Sequence, residues 1–523
     1  MISKKYYFIP SFSQIIFIII FIGLLIKGEG LLGDGDTGYH IRAGEYIIEN
    51  FTVPVVDIFS YHSPPLAWTA HEWLAEVIMA IIYNHLGLTG VVIFFSVLLV
   101  FTFYLFFRLL FQYNKNIVLI LLIVLFALVC NSLHWLARPH AFTFLFLIIW
   151  YFILDGYQYR GKNHLYFLPV LMLFWVNLHG GYIIGFVLLA MYFLANIYDF
   201  YFYEEKKSEN KNKIKLLFYV IVFCLGTTLI NPVGYKILLF PFKLAGDKFL
   251  TSHVLEFLPT NFQKNYPFKY FYFFSLLVLL LSTKKLRLLE IVIFIVFSYM
   301  SFYSIRYTAI FSIIMTPILI KKIDMFCHNS DNSIIKYLNE RSKNIAFAEK
   351  KAKGILYPII IVVVSFILGY AGIINYNFDP EKKPVDAVKF LLKENISGNM
   401  FNNDEFGDYL IYTAYPKYRV FFDGRSDMYG EEIMKKYFKV TGIEYNWEKV
   451  IEEYKIGWIF FDANSLLSRY LYERPEWHLV YADKVAHIYV KNESDYEDLI
   501  RKYPDVKPIV YDKIEDQNVQ LGG

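Results

Sequence analysis

The chain is poor in cysteine and in charge. Only Cys130, Cys224 and Cys327 occur in 523 residues. The first two fall in apolar runs and the third in a polar loop, so a disulfide framework and a cysteine-ligated zinc site are excluded. Charged residues make up 19%, against about a quarter in an ordinary soluble domain, which excludes a typical cytosolic enzyme. No long basic tract interleaved with aromatics is present, so nucleic acid is not an expected partner. The apolar run after Lys4 and Lys5 lacks a following small-x-small cleavage site. An uncleaved first helix is therefore expected in place of a removable signal.

What the sequence has in abundance is apolar: 56% hydrophobic and 20% aromatic residues, with a mean hydropathy of +0.39. Blocks such as IIFIIIFIGLLI (15–26), VVIFFSVLLVFTFYLFF (91–107) and IIIVVVSFILGYAGII (359–374) reach, with their flanks, the roughly 17–25 residues that cross a bilayer as a helix. The expected fold is a polytopic α-helical membrane protein. About eleven spans are read at 12–27, 88–110, 116–133, 140–156, 164–177, 181–200, 215–230, 268–282, 287–304, 307–322 and 355–375. Composition then changes near residue 375. Asp379 to Asp516 hold 27 acids and 20 bases, whereas the chain up to Lys353 holds 31 bases and 20 acids. Residues 1–375 are thus read as a transmembrane domain and 376–523 as a C-terminal α/β domain long enough to bury a core.

With the N-terminus inside, 22 of those 31 bases fall on inner segments, as the positive-inside rule requires. An odd number of spans then puts the tail outside. On that topology His40, His71, His140, His179, Asp34, Asp36, Glu72, Arg138, Asn177 and Arg306 all lie at the outer side, several beside Pro or Gly. Interfacial snorkelling is the plain alternative, but it predicts similar groups at both faces, and the inner ends carry mainly lysine. An outward-facing polar cavity is expected.

The first outer loop, 28–87, is the richest in chemistry. Asp34-Gly35-Asp36 is a paired carboxylate of the kind that can hold a divalent cation through oxygen ligands. An EF-hand is excluded because Tyr39 stands where the turn glycine is needed, and a zinc protease because Glu76 follows His71-Glu72 without histidine at the required spacing. Thr37–Glu49 has the pattern of a short amphipathic helix on the membrane surface. Asp36 or Thr37 could cap it, and Thr69-x-x-Glu72 reads as a capping box that would occupy Glu72. His40 could be a surface histidine. In the tail, Val385–Glu394 reads as a helix, Tyr418–Phe422 and Trp458–Phe461 as strands, and Trp477–Tyr481 with Val485–Val490 as a hairpin. Asp423-Gly424-Arg425 follows a strand, either as a turn or as a contact to acceptor or lipid phosphate.

The ordered succession G-D-T-G-Y-H-I-R-A-G-E-Y-I, V-P-V-V-D-I-F-S-Y, W-T-A-H-E-W-L-A-E-V, R-P-H, N-L-H-G-G and N-P-V-G, with F-F-D-G-R-S-D-M-Y-G at 421–430, resembles prokaryotic membrane glycosyltransferases of the GT-C fold. The resemblance implies an inverting transferase in the cytoplasmic membrane. It would take a sugar from a polyprenyl-phosphate carrier to a glycan, lipid or protein acceptor on the outer face, with membrane lipid as a further partner. The superfamily's catalytic aspartate falls just after helix one, where Asp36 stands, with Asp34 as the alternative and His40 and Glu72 close by. A carboxylate suits a base for a transfer with oxocarbenium character. Arg138, His140, Asn177, His179, Arg306 and His71, with Asp423 and Arg425, are the candidates for holding substrate and its phosphate; each histidine alone could be structural and each arginine an interfacial anchor. A divalent cation at Asp34 and Asp36 is left open. Two other readings stand beside this one: an oligosaccharide polymerase or ligase with a lipid-diphosphate donor, leaning more on the arginines and histidines, and a non-enzymatic transporter of lipid-linked sugars, for which no internal repeat is seen.

Overall fold

The structure is a computed structural model that describes residues 8–509, apart from 115, 265, 283–284, 329–332 and 353. Lys4, Lys5, Lys115, Lys284, Lys353 and the last fourteen residues of the expected C-terminal domain lie outside the described residues.

Each apolar run read from the sequence is helical. The first helix, Phe12–Ile26, starts at Ser11, whose hydroxyl accepts the Gln14 N–H in a capping box. Phe17 and Phe21, one turn apart, bury its inner side, and Phe17 packs edge-on to Tyr104 of the Trp73–Leu110 helix at 5.6 Å. Among the described residues, four helices are long and apolar enough to cross a membrane: Trp73–Leu110, Ile117–His134, His140–Arg160 and Gly180–Phe202, with a fifth if the bent pair Asn339–Lys351 and Leu356–Tyr370 counts as one span. Phe12–Ile26, Phe167–Leu178, Pro267–Leu280 and Leu288–Tyr303 are apolar but shorter. The eleven-span expectation is thus met as helices, while full spanning length belongs to four or five of them. The expected 88–110 span extends back to Trp73, bent at Gly87, whose φ of +61° a residue with a side chain rarely adopts.

The Asp36–Asn50 helix does not lie on the membrane surface as expected. Thr37, Gly38, Tyr39, His40, Ile41, Ala43, Gly44 and Ile47 are all buried, because the helix is packed between the Trp73–Leu110 helix and the tail's Asp404–Ala414 helix. Its amphipathic pattern met protein on both sides.

The tail carries a small mixed sheet of four strands, β1 (Asn399–Asn402), β2 (Ile456–Asp462), β3 (Trp477–Ala482) and β4 (Ala486–Lys491), in the order β1-β2-β4-β3. β1 and β2 are parallel, the other pairs antiparallel, and β3–β4 is the expected hairpin. Tyr418–Phe422 is not a strand of this sheet. Its backbone pairs instead with the first loop: Val420 N donates to Phe59 O at 3.1 Å and Tyr61 N to Val420 O at 3.2 Å. The Phe421 N–H goes to Asn402 Oδ1 at 2.8 Å.

That seam is locked by Arg425. Its guanidinium bonds Asp423 at 2.7 and 2.8 Å, pairs with Asp57 Oδ1 at 2.8 Å, and lies 4.9 and 4.7 Å from the rings of Phe59 and Trp68. A buried charge is tolerated only with such full pairing. The tail is thereby fixed on the end of the helical bundle that carries Asp36.

Candidate active site

Asp34 Oδ1 accepts the Asp36 N–H at 3.0 Å, an aspartate closing a turn onto its own backbone two residues on. Neither expected cap is used: the Thr37 hydroxyl donates to Ala137 O at 3.2 Å, and the Asp36 side chain makes no cap bond. Asp36 is therefore free to face outward from the helix start. Ala137 N also donates to Leu31 O at 2.8 Å, which brings the Arg138 turn to the same place.

Arg138 gathers three carboxylates. Its guanidinium lies 2.6 Å from Asp34 Oδ2, 2.5 Å from Asp36 Oδ2 and 2.7 Å from Glu256 Oε1. Glu256 also faces Arg306, at 3.5 Å, whose guanidinium lies 4.6 Å over the Phe257 ring. The tail adds a fourth acid. Asp408, on the Asp404–Ala414 helix, accepts the Gly424 N–H at 2.9 Å. A Cβ at Gly424 would fall 2.2 Å from Asp36 Oδ1 and 2.9 Å from Asp408 Oδ2, so only glycine lets the tail backbone press against both carboxyls.

Three carboxylates, Asp34, Asp36 and Glu256, thus share two guanidinium groups, and Asp408 adjoins them through Gly424 and Asp36. Burial pushes the Asp36 carboxyl well above its ordinary range; Arg138 pulls it down, and Asp34 and Glu256 push it further up. Burial likewise raises Asp408, with the charges of Asp36 and Asp423 adding to the effect. Glu256, by contrast, is held well below the usual carboxylate range by Arg138. A carboxyl pair this close retains a proton that an isolated aspartate loses.

A second cluster adjoins the first. Glu72 stands at the head of the Trp73–Leu110 helix and makes no cap bond, so the expected capping box does not form. Its carboxylate faces His40 Nε2 at 3.5 Å, His71 Nε2 at 3.7 Å and His179 Nε2 at 3.4 Å. His40 is fully buried, its Nδ1 3.1 Å from Glu76 Oε1; its Nε2 and Glu76 Oε2 lack a hydrogen-bond partner. Burial holds the His40 imidazole neutral, well below its ordinary range. The His140 and His179 rings are 6.3 Å apart, and the charges of Arg138 and Arg306 reach Glu72. Asn177 sits at the edge, its oxygen accepting from Trp73 Nε1 at 2.7 Å and its amide donating to Leu173 O and Ile230 O.

Most of the residues singled out in the sequence therefore converge: Asp34, Asp36, Arg138 and Arg306 in one network, and His40, His71, Glu72, His140 and His179 beside it. Asp423 and Arg425 do not face this space; both are fully buried in the seam with Asp57. Glu76, Glu256 and Asp408 were not anticipated. The residues do not fit a divalent cation as they stand, because the Arg138 guanidinium bonds both Asp34 and Asp36. Among the described residues no group of three or more His, Cys, Asp or Glu is arranged to hold a metal ion.

The fold, a helical bundle with a small C-terminal mixed sheet, is GT-C-like by its likeness to two solved oligosaccharyltransferase structures. The structure superposes on the archaeal oligosaccharyltransferase AglB from Archaeoglobus fulgidus, solved in complex with an inhibitory peptide and a dolichol-phosphate, with a TM-score of 0.55 at 13% identity, over 86% of this chain and 70% of that one. It also matches the apo form of the Archaeoglobus fulgidus oligosaccharyltransferase, with a TM-score of 0.52 at 11% identity, over 91% and 75% of the two chains. No family model and no curated protein sequence matches this chain.

Proposed function

We propose that this protein moves a sugar from a polyprenyl-phosphate carrier to an acceptor hydroxyl on the outer face of the membrane, with Asp36 as the base. The observation that carries this is the placement of Asp36: a buried carboxyl just after the first apolar helix of a GT-C fold, bonded to one arginine and backed by a second carboxyl. In the step, the acceptor oxygen bonds the anomeric carbon while its proton passes to Asp36. The bond from that carbon to the phosphate oxygen breaks, and its electron pair leaves with the lipid phosphate. A carboxyl whose proton affinity is raised by burial suits a base working near neutral pH.

The two arginines take different roles in this reading. Arg138 is engaged by three carboxylates, so it fixes Asp36. Arg306 is 29% exposed in its side chain and meets one carboxylate at 3.5 Å, so it is the group assigned to the departing phosphate, with His140 and His179 nearby.

The dolichol-phosphate in the AglB complex supports a lipid-phosphate carrier. That the matching structures are oligosaccharyltransferases supports a second reading, transfer of an oligosaccharide from a lipid diphosphate. Assays in membranes with polyprenyl-monophosphate sugars and with lipid-diphosphate oligosaccharides distinguish the two. The first reading expects transfer from the monophosphate alone, lost in Asp36→Asn. Transfer from the diphosphate alone favours the second, and full activity of a normally expressed Asp36→Asn variant removes the base assignment.

A further inference from the structure

Between the helix that ends at Thr228 and the one that starts at Pro267, the chain forms an eleven-residue helix, Lys236–Gly246, outside every expected span. It is entered by a turn in which Asn231 Oδ1 accepts the Val233 N–H at 2.9 Å and Gly234 adopts a φ of +58°. Pro241 stands inside the helix; having no N–H, it leaves the carbonyl of Ile237 without its helical partner. The Tyr182 hydroxyl donates to that carbonyl at 2.6 Å. Ile237 is fully buried, and Phe240 lies 4.6 Å from the His71 ring. One side of the helix is thus pinned on the bundle, next to the histidine cluster.

The opposite side has no protein against it. At about 100° per residue, Tyr235, Leu239 and Phe242 share one face, and they are 65%, 59% and 71% exposed. Lys236 and Lys243, both exposed, lie together on one edge of that face, and exposed Lys248 follows the helix. The other edge carries Leu238 and Ala245. Phe223 in the preceding helix, and Leu229 and Ile230 just past its end, are exposed as well.

We infer that the Lys236–Gly246 helix lies flat in the membrane leaflet on the tail side, with Tyr235, Leu239 and Phe242 among the acyl chains and Lys236, Lys243 and Lys248 on the phosphates of anionic lipids. A helix with an apolar aromatic face and a lysine edge takes this position at a membrane–water interface. Its lysines also stand on the side of the bundle where the charge pattern read from the sequence expects few, so anionic headgroups there offer the complementary charge. The inference rests on the membrane location of the chain and not on its catalysis. It places bulk lipid one side chain, Phe240, from His71 and Glu72.

The test uses the full chain in nanodiscs of phosphatidylcholine with phosphatidylglycerol. A photoreactive phenylalanine replaces Phe242 and, in a second sample, Tyr445, which is 89% exposed in the tail. Mass spectrometry then reads the adducts. Lipid adducts are expected at 242 and not at 445, enriched in phosphatidylglycerol over its share of the bilayer by about fivefold or more, since one lysine near an anionic surface supplies roughly that factor. The enrichment should vanish in the Lys236→Gln, Lys243→Gln, Lys248→Gln variant while the adducts remain. Equal labelling at 242 and 445, or a cross-link at 242 to a second protein chain, would overturn the placement. Lipid adducts without phosphatidylglycerol preference, or a co-purified polyprenyl phosphate as the adduct, would overturn the assignment of the lysines to anionic bulk lipid.

Discussion

The two ends of the His140–Arg160 helix carry two ionic networks that are built differently. At its start, Arg138 and Arg306 serve three carboxylates, and a fourth, Asp408, stands beside Asp36 with the Gly424 N–H as its donor. Fifteen residues on, about 22 Å along the helix, Asp155 is served by three donors. Lys321 lies 2.7 Å away, Arg160 lies 3.9 Å away and the Tyr113 hydroxyl bonds it directly. Nearby, Glu290 has Lys322 at 2.8 Å and the Arg287 N–H at 3.0 Å. Both networks contain buried charge, but one gives each acid a lysine of its own, whereas in the other, three acids share two arginines. A network that only holds helices together lowers its energy by matching every carboxylate. One left with carboxyls in excess keeps groups whose protonation can change near neutral pH, which is what acid–base chemistry requires. Under the proposed function, the contrast puts structure at the Asp155 end and chemistry at the Asp36 end.

The largest expected effect comes from removing the carboxylate whose charge the fold does not match. Asp36→Asn should lower sugar transfer by about 10²–10⁴, the range of a positioned base. Arg425→Ala comes next. It leaves Asp57 and Asp423 buried without their cation, a loss of about 3–5 kcal/mol. A clear fall in unfolding temperature should accompany loosening of the tail, read as protease cleavage near Tyr418–Phe422. Gly424→Ala is smaller: a Cβ 2.2 Å from Asp36 Oδ1 forces the tail backbone away. Overpacking of this kind costs about 1–3 kcal/mol, with transfer reduced more than stability.

The smallest effect sharpens the comparison through pH. Because burial, with neighbouring acids, raises the Asp36 carboxyl, its base form appears only as pH rises past the ordinary carboxylate range. Transfer should therefore increase with pH through that region. A side-chain hydrogen bond with Asp408 lowers the Asp36 carboxyl, so Asp408→Ala, which removes that bond, should move the rising limb to higher pH. An unmoved or acid-shifted limb would show that Asp408 does not hold the Asp36 carboxylate in this way.

Much of this contrast was legible in the sequence, and the missing parts share a cause. The apolar runs announced the helices because burial in a bilayer needs no partner to be specified. Asp34, Asp36, Arg138 and the histidines stood out because ionisable groups beside breakers at helix ends are costly there. Glu256 and Asp408 carried no such mark. Each is an acid with no neighbouring motif to mark it, and each reaches the site only because a distant segment docks: residues 255–257 beside Arg138, and the tail helix beside Asp36. Tyr418–Phe422 has the alternation of a strand, but its partners are residues 59–61, more than 350 positions away. The turn reading of Asp423-Gly424-Arg425 agrees with the local Asp423–Arg425 bonds, but the pairing with Asp57 was not legible, because Asp57 sits in a loop motif that periodicity does not connect to the tail.

The account is tested most directly by measuring transfer and thermal unfolding side by side for Asp36→Asn and Asp155→Asn in the same membranes. Asp36→Asn should lose transfer and keep, or slightly raise, its unfolding temperature, because the folded state no longer confines an excess carboxylate. Asp155→Asn should lose unfolding temperature and keep transfer per folded molecule, because Lys321 is left without its matching charge. If the two variants lose transfer and stability in the same proportion, the division between a catalytic and a structural end is contradicted.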